Sequence, residues 1–334
     1  MEKIEILSAN SHLPNNIVSS IDLFDEIKSD NQYGISRSWM SEEMGVIERR
    51  MSDFGATPSS IAIPAAENAL KQSGLKPEEV EMVIFCGIER DHPEPATAHT
   101  IANYLGINAK RTFDISNACF GFVDGLETAC DRIAGGKVQN ALIVTSEMFS
   151  RPVTKLIGQL KKGVNVNEAK KYIGFLSLGD AGGAVVLAPS SDGKKGFEGF
   201  NIKTLSDEVK RCHYHIDESG TFCGQMQMGH LSALMIKGHN QIVDETLDML
   251  NWKEYDFLLS HQIGKAPFDR LSGIRCQKTV QHIKTYDKLG NIASATFPVN
   301  FEKLLNSGKF KPGSKIMGMY AGSGLVYGQL GYSM

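Results

Sequence analysis

The sequence predicts an α/β protein built from two pseudo-symmetric halves. Three observations carry this: short buried-strand runs, helical stretches between them, and the same order of elements met twice. Residues 82–86, 141–145, 183–187, 257–260 and 316–320 are apolar runs of strand length, bounded by turn residues. Between them, residues 64–74 read as a helix closed by Ser73-Gly74, and residues 239–250 as an amphipathic helix. The recurrence pairs LKPEEVEMVIFCGI (75–88) with LNWKEYDFLLSHQI (250–263). It also pairs GLETACDRIAGGKVQNALIVTSE (125–147) with NFEKLLNSGKFKPGSKIMGMYAG (300–322). Residue identity is low in both pairs, and the order of turn, helix and strand is what repeats. The polar, Gly-containing connector from Ser190 to Gly196 divides the chain into residues 1–189 and 196–334.

Composition narrows the class. A chain of 334 residues with 42% hydrophobic side chains can bury one large core or two fused ones. A net charge of −3 gives no overall attraction to nucleic acid. No apolar run approaches the roughly 18 residues of a membrane span, and Met1-Glu2-Lys3-Ile4-Glu5 is no signal peptide. The six cysteines (Cys86, Cys119, Cys130, Cys212, Cys223 and Cys276) form no Cys-x-x-Cys pair, which points to a reducing cytoplasm.

Cys119 lies in Asp114-Ile115-Ser116-Asn117-Ala118-Cys119-Phe120-Gly121-Phe122, a strand passing through small residues into a helix at 123–133. A thiol at a helix N-terminus meets the positive end of the dipole, which favours thiolate. The bland alternative is a packed, inert cysteine. His261 follows the 257–260 strand, and Asn291 follows Gly290. Each alone reads as a structural or turn residue. Set opposite Cys119 across the two halves, they form a nucleophile with two hydrogen-bonding groups. Gly179-Asp180-Ala181-Gly182-Gly183 and Gly322-Ser323-Gly324 adjoin strands, and neither has the Rossmann or Walker spacing. No ligand spacing indicates a metal site. His213 and His215 read as a metal pair or, more simply, as an ordinary loop. The Lys-rich stretch 151–173 reads as an excursion over the site, either a solvated surface helix or a lid contacting an acidic carrier. Met226, Met228, Leu231, Leu234 and Met235 fit a substrate pocket and a packed core equally well.

These motifs together resemble ketoacyl-ACP synthase III and its relatives in the thiolase superfamily, over nearly the whole chain. Asn117-Ala118-Cys119-Phe120-Gly121-Phe122 looks like the family's nucleophile segment, and residues 179–185 like its Gly-Asp-Gly-Ala-Gly-Ala-Val signature. His261-Gln262 and Gly290-Asn291-Ile292-Ala293-Ser294-Ala295 are similar to its His-Gln and Gly-Asn-Thr-Ser-Ala runs, and Gly322-Ser323-Gly324 to its terminal loop. The resemblance implies a five-layered αβαβα thiolase-like fold, a homodimer, and acyl thioesters on coenzyme A or acyl carrier protein as substrates, with no cofactor. It implies that Cys119 is acylated and that His261 and Asn291 stabilise the enolate of a second substrate. The backbone N–H groups of Cys119 and of the Gly322, Ser323 and Gly324 loop would form an oxyanion hole. Trp39, Lys265 and Phe120 are the implied substrate contacts.

The departures carry information. Glu43 replaces an Arg that follows the family's Trp. Gly264 and Ala266 replace an Asn and an Arg after His-Gln, and Lys171 or Tyr172 stands where an Arg precedes the Gly-Asp signature. A grip on coenzyme A is therefore weakened and a carrier-protein donor favoured. Glu94, before Pro95, stands where ordinary members carry an apolar residue that reaches into the partner's pocket. Head-to-head condensing enzymes of olefin biosynthesis, and pyrone synthases, resemble the chain in placing a glutamate there as the base that deprotonates a second acyl chain. Glu89 is a weaker candidate for a base. The expected reaction is Claisen condensation of two acyl thioesters in lipid or polyketide biosynthesis. The alternatives are decarboxylative condensation with malonyl-ACP, acyl transfer to an alcohol or amine, and a silent subunit of a partner synthase.

Overall fold

The computed structural model describes residues 3–275 and 280–334; Cys276 lies outside them. The first half supplies strands β1 (Ile4–His12), β2 (Asn16–Ser19), β3 (Glu48–Met51), β4 (Met82–Cys86), β5 (Arg111–Ile115), β6 (Ala141–Glu147) and β7 (Ala181–Pro189). The second supplies β8 (Gly196–Thr204), β9 (Cys212–Ile216), β10 (Phe222–Met226), β11 (Phe257–Ser260), β12 (Gln281–His282), β13 (Lys315–Gly322) and β14 (Val326–Ser333). Each of the five apolar runs lies within a strand, because a run of that length between turns satisfies its backbone only by pairing on both sides.

Two five-stranded sheets result, in the orders β1-β7-β6-β4-β5 and β8-β14-β13-β11-β12. Their pairing is the same: two antiparallel ladders from the outer strand, then two parallel ones. This shared topology makes the chain a duplicated α/β fold. Strand alternation decides the layers. Ile84 and Ile143 face a core shared with Phe257, Leu259 and the helices Gly121–Ala134 and Thr296–Ser307, which lie between the sheets. Val83, Phe85 and Val144 face outward onto the helices Pro58–Ser73 and Thr97–Tyr104. Leu258 and Met317 pack on the helices Met228–Met249 and Lys265–Ser272. That is the αβαβα arrangement.

Both expected helices are longer than their patterns. Residues 64–73 belong to Pro58–Ser73, with Gly74 as its C-cap; the helix starts at a Thr57 cap with a Ser60 capping box, and Pro64 lies within it. Residues 239–249 belong to Met228–Met249, with Leu250 as its C-cap; its first turns are rich in Met and Leu and break the amphipathic pattern. The stretch 151–173 forms the helices Ser150–Lys162 and Val166–Tyr172, which bury Val153, Leu156, Leu160 and Ala169 and leave the lysines exposed.

Candidate active site

The chain leaves β5 and turns through Asn117, Ala118 and Cys119 before entering the helix Gly121–Ala134. Ala118 adopts φ of 47°, a left-handed conformation uncommon for a side-chain-bearing residue. Its neighbours hold it there. Ser294 Oγ donates to Ala118 O at 2.9 Å, and Asn117 Nδ2 donates to Asp124 Oδ2 at 2.8 Å. Gly322 approaches closely from the other half: a Cβ there would lie 2.9 Å from Phe120 N. Any side chain at 322 would push the two halves apart at the nucleophile.

His261 ends the β11 run, and its N–H donates to Met319 O at 2.9 Å. Asn291 is fixed by its own loop. Its N–H donates to Ser177 O, and its Oδ1 accepts from Ala293 N, both at 2.9 Å. An N–H can only donate, so the side-chain amide is oriented with Nδ2 free to donate elsewhere. Cys119, His261 and Asn291 line one cavity of about 250 Å³, together with Gly322 and Ser323. The rest of the wall is mostly apolar and includes Ile88, Phe149, Phe175, Tyr214, Met226 and Met235.

Burial sets the protonation states. It holds His261 down at about 4, so the imidazole is neutral near pH 7. The Cys119 thiol is pushed well up, first by burial and then by Glu147 and Cys212. The expectation that the helix end favours thiolate is therefore corrected. Cys119 precedes the first helical residue by two positions, and desolvation of a buried charge outweighs a dipole term of about 1 kcal/mol.

The remaining sequence candidates lie elsewhere. Phe120 is a correction: its ring is fully buried in the shared core against β14, where a Cβ on Gly328 would lie 2.8 Å from it. It therefore cannot contact substrate. Trp39 stacks on Phe24, and Lys265 donates its backbone N–H to Met44 O; neither lines the cavity. Gly324 is also off the wall, beside Ser323 and Leu325, which are on it. Glu94 is exposed and away from the cavity of its own chain. Of the five pocket-or-core residues, Met226, Met228, Leu231 and Met235 reach the wall, whereas Leu234 packs on the second-half core. His213 lies on the same wall and His215 does not, and no metal-binding cluster exists among the described residues.

Sequence reading missed several residues. Tyr214 donates to Glu89 Oε1 at 2.7 Å and divides the cavity from a second one lined by Glu89, Arg151, Lys155 and His215. Cys212 and Ser323 both lie on the cavity wall. Glu147 at the end of β6 is fully buried, its carboxyl pushed up to about 8 by burial. The one local hint was a carboxylate closing a strand that opens on the apolar run 141–144.

Residues 113–206 match the family profile of 3-oxoacyl-[acyl-carrier-protein] synthase III, and residues 247–332 match its C-terminal counterpart, together more than half of the chain. A beta-ketoacyl-[acyl-carrier-protein] synthase III of Pasteurella multocida is 27% identical over 333 residues, 97% of each chain. One from Streptomyces coelicolor is 27% identical and covers 98% of this chain and 96% of its own. Among solved structures, a variant of Xanthomonas campestris OleA superposes with a TM-score of 0.92 at 22% identity, covering 99% of this chain and 98% of that one. A second OleA variant, with bound lauric acid and lauroyl-CoA, gives 0.92 at 21%, covering 99% of each.

Proposed function

The chain belongs to the 3-oxoacyl-[acyl-carrier-protein] synthase III family of condensing acyltransferases, and from that premise we propose that it joins two acyl thioesters on Cys119 without decarboxylation. The observation that carries this reading is the meeting of Cys119, His261 and Asn291 on one apolar wall.

In the first step Cys119 Sγ attacks the thioester carbonyl. The carrier thiol leaves with the proton that the Cys119 thiol gives up. The Cys119 N–H and the 322–324 loop receive the oxyanion. In the second step a carboxylate base takes an α-proton from the second thioester. His261 and the free Nδ2 of Asn291 hydrogen-bond the enolate oxygen. The α-carbon attacks the acyl-Cys119 carbonyl, and the departing thiolate recovers the proton as the β-ketoacyl thioester forms. The base is Glu94 of the partner subunit in a homodimer. Its exposure outside its own cavity supports this, as does its attachment to a sheet edge. Thr97 and Ala98 N–H donate to Asp114 on β5, and β5 is an open edge available to a second copy. The bound lauric acid and lauroyl-CoA of OleA support acyl chains as occupants here.

The donor is acyl-ACP or acyl-CoA, with Trp39 and Lys265 outside the cavity as contacts for the carrier arm and no cofactor in the scheme. The halves are residues 1–189 and 196–334. The setting is a reducing cytoplasm, and the five described cysteines are free thiols. The pathway is lipid or polyketide assembly. A second reading is decarboxylative condensation with malonyl-ACP, which needs no base and is compatible with a cavity wall lined by no carboxylate among the described residues.

The test is intact-protein mass spectrometry with short and long acyl donors on both carriers, followed by a second, non-malonyl thioester. A Cys119-dependent adduct that resolves to a ketoacyl product, and stalls in Glu94→Ala, supports the proposal. An adduct discharged only by malonyl-ACP and indifferent to Glu94 sinks it.

A further inference from the structure

We infer that Glu147, a carboxyl outside the cavity, is the positioning residue that fixes the Ala118–Cys119 peptide and so aims the Cys119 N–H at the acyl oxygen. The inference rests on the oxyanion role proposed above and extends it to a residue that touches no substrate.

The argument follows one peptide plane. Ala118 O and Cys119 N–H belong to the same planar group, so holding the carbonyl holds the amide. Ser294 Oγ holds that carbonyl at 2.9 Å. Ser294 is itself held by its backbone, whose N–H donates to Glu147 Oε1 at 3.2 Å. Left alone, the plane would have reason to turn, because Ala118 carries a positive φ of 47°. Asn291 lies three residues before Ser294 on the same turn, so one anchor serves both halves of the site. The other oxygen, Glu147 Oε2, accepts from Ile88 N at 3.4 Å, and Ile88 lines the cavity. Glu147 therefore ties together the nucleophile turn, the Asn291 loop and one wall.

Its protonation state matters for the same reason. The groups that act on it or feel it are Glu89 after β4, Cys86 on β4, Cys119 in the turn, Tyr214 on β9 and the backbone N–H donors of Ser294 and Ile88. Apart from the Ser294 and Ile88 amides, these become anions when they ionise, and none is a cation. A neutral Glu147 leaves the thiol and a developing oxyanion undisturbed, whereas an ionised one opposes both. Ionisation is half complete near pH 8.

The test uses Glu147→Ala, Glu147→Gln, Ser294→Ala and the Glu147→Ala/Ser294→Ala double variant. Cys119 acylation by acetyl-CoA and octanoyl-CoA is timed by mass spectrometry. Cys119 alkylation by iodoacetamide, which needs no oxyanion hole, is timed from pH 6 to 10. Glu147→Ala and Ser294→Ala should each slow acylation about 100-fold while alkylation at pH 7 stays within about twofold. The double variant should be no slower than the slower single variant. Glu147→Gln should acylate at pH 7 within about threefold of the parent. It should alkylate at least about threefold faster than the parent above pH 8, where its charge is missing. Multiplicative losses in the double variant would overturn the inference. So would loss of alkylation in step with acylation, or coincident pH profiles for Glu147→Gln and the parent. If Glu147→Ala does not fold, Ser294→Ala and Glu147→Gln decide. If no donor acylates the parent, the proposed function falls and this inference, which rests on its oxyanion role, falls with it; failure of the inference alone shows in a parent that still acylates.

Discussion

Lowering the pH from 7 to 5 should destabilise this fold through its buried histidines. Burial holds His239 and His282 down at about 3 and His261 at about 4, against 6.5 when exposed. A histidine depressed in this way is neutral in both states above pH 6.5. As the pH falls below 6.5 the unfolded chain takes the proton and the folded chain refuses it. At pH 5 each of the three then costs about 2 kcal/mol. Glu147 acts with the opposite sign. Its folded value of about 8 exceeds the unfolded 4.5, so the penalty it imposes at pH 7 shrinks by about 2–3 kcal/mol on reaching pH 5. For these four groups together the loss is about 3 kcal/mol, a large share of the 5–15 kcal/mol of an ordinary domain. The assay is urea unfolding at pH 7 and 5 for the parent and His239→Gln. With a slope of about 3 kcal/mol/M, the parent midpoint should fall by about 1 M. His239→Gln should lose less than half as much, because its share of about 2 kcal/mol no longer titrates. A parent midpoint unchanged or higher at pH 5 would refute the reasoning.

Three further outcomes are expected. Asn291→Ala should keep the Cys119 acyl adduct but slow its discharge by a second thioester by about 100-fold, read as accumulation of acylated protein by mass spectrometry. Phe120→Ala should cost about 3–5 kcal/mol of stability by calorimetry, while the relative preference for short and long acyl donors stays unchanged, since the ring packs in the core. Gly290→Ala should abolish condensation: its φ is +66°, and a Cβ would lie 2.2 Å from Ser177 O, the acceptor that seats the Asn291 N–H. Full activity in that variant would show that the Asn291 loop tolerates displacement.

Residues 82–86 and 257–260 were legible as strands with their true limits, because length, turn boundaries and apolar character are local properties. The duplicated order of elements was legible for the same reason, and it led to the two like sheets. The helix starts at Pro58 and Met228 were not, since a capping box and a Met-rich first turn do not show the expected period. Motif order named Cys119, His261 and Asn291. Their shared wall follows from two chain halves closing on one another, and Gly322 permits that closure. Phe120 read as a substrate contact because it adjoins the nucleophile, yet a one-residue step along a turn redirects a side chain from cavity to core. Glu147 shows the same division. Its place at the end of a strand is written in the chain. Its burial, its shifted proton and its hold on Ser294, 147 residues away, exist only once distant segments pack and water leaves. Composition and pattern act over a few residues and decide strands, helices and their order. Desolvation and the meeting of remote groups act through space, and they decide which side chains carry a proton, face a substrate or hold another in place.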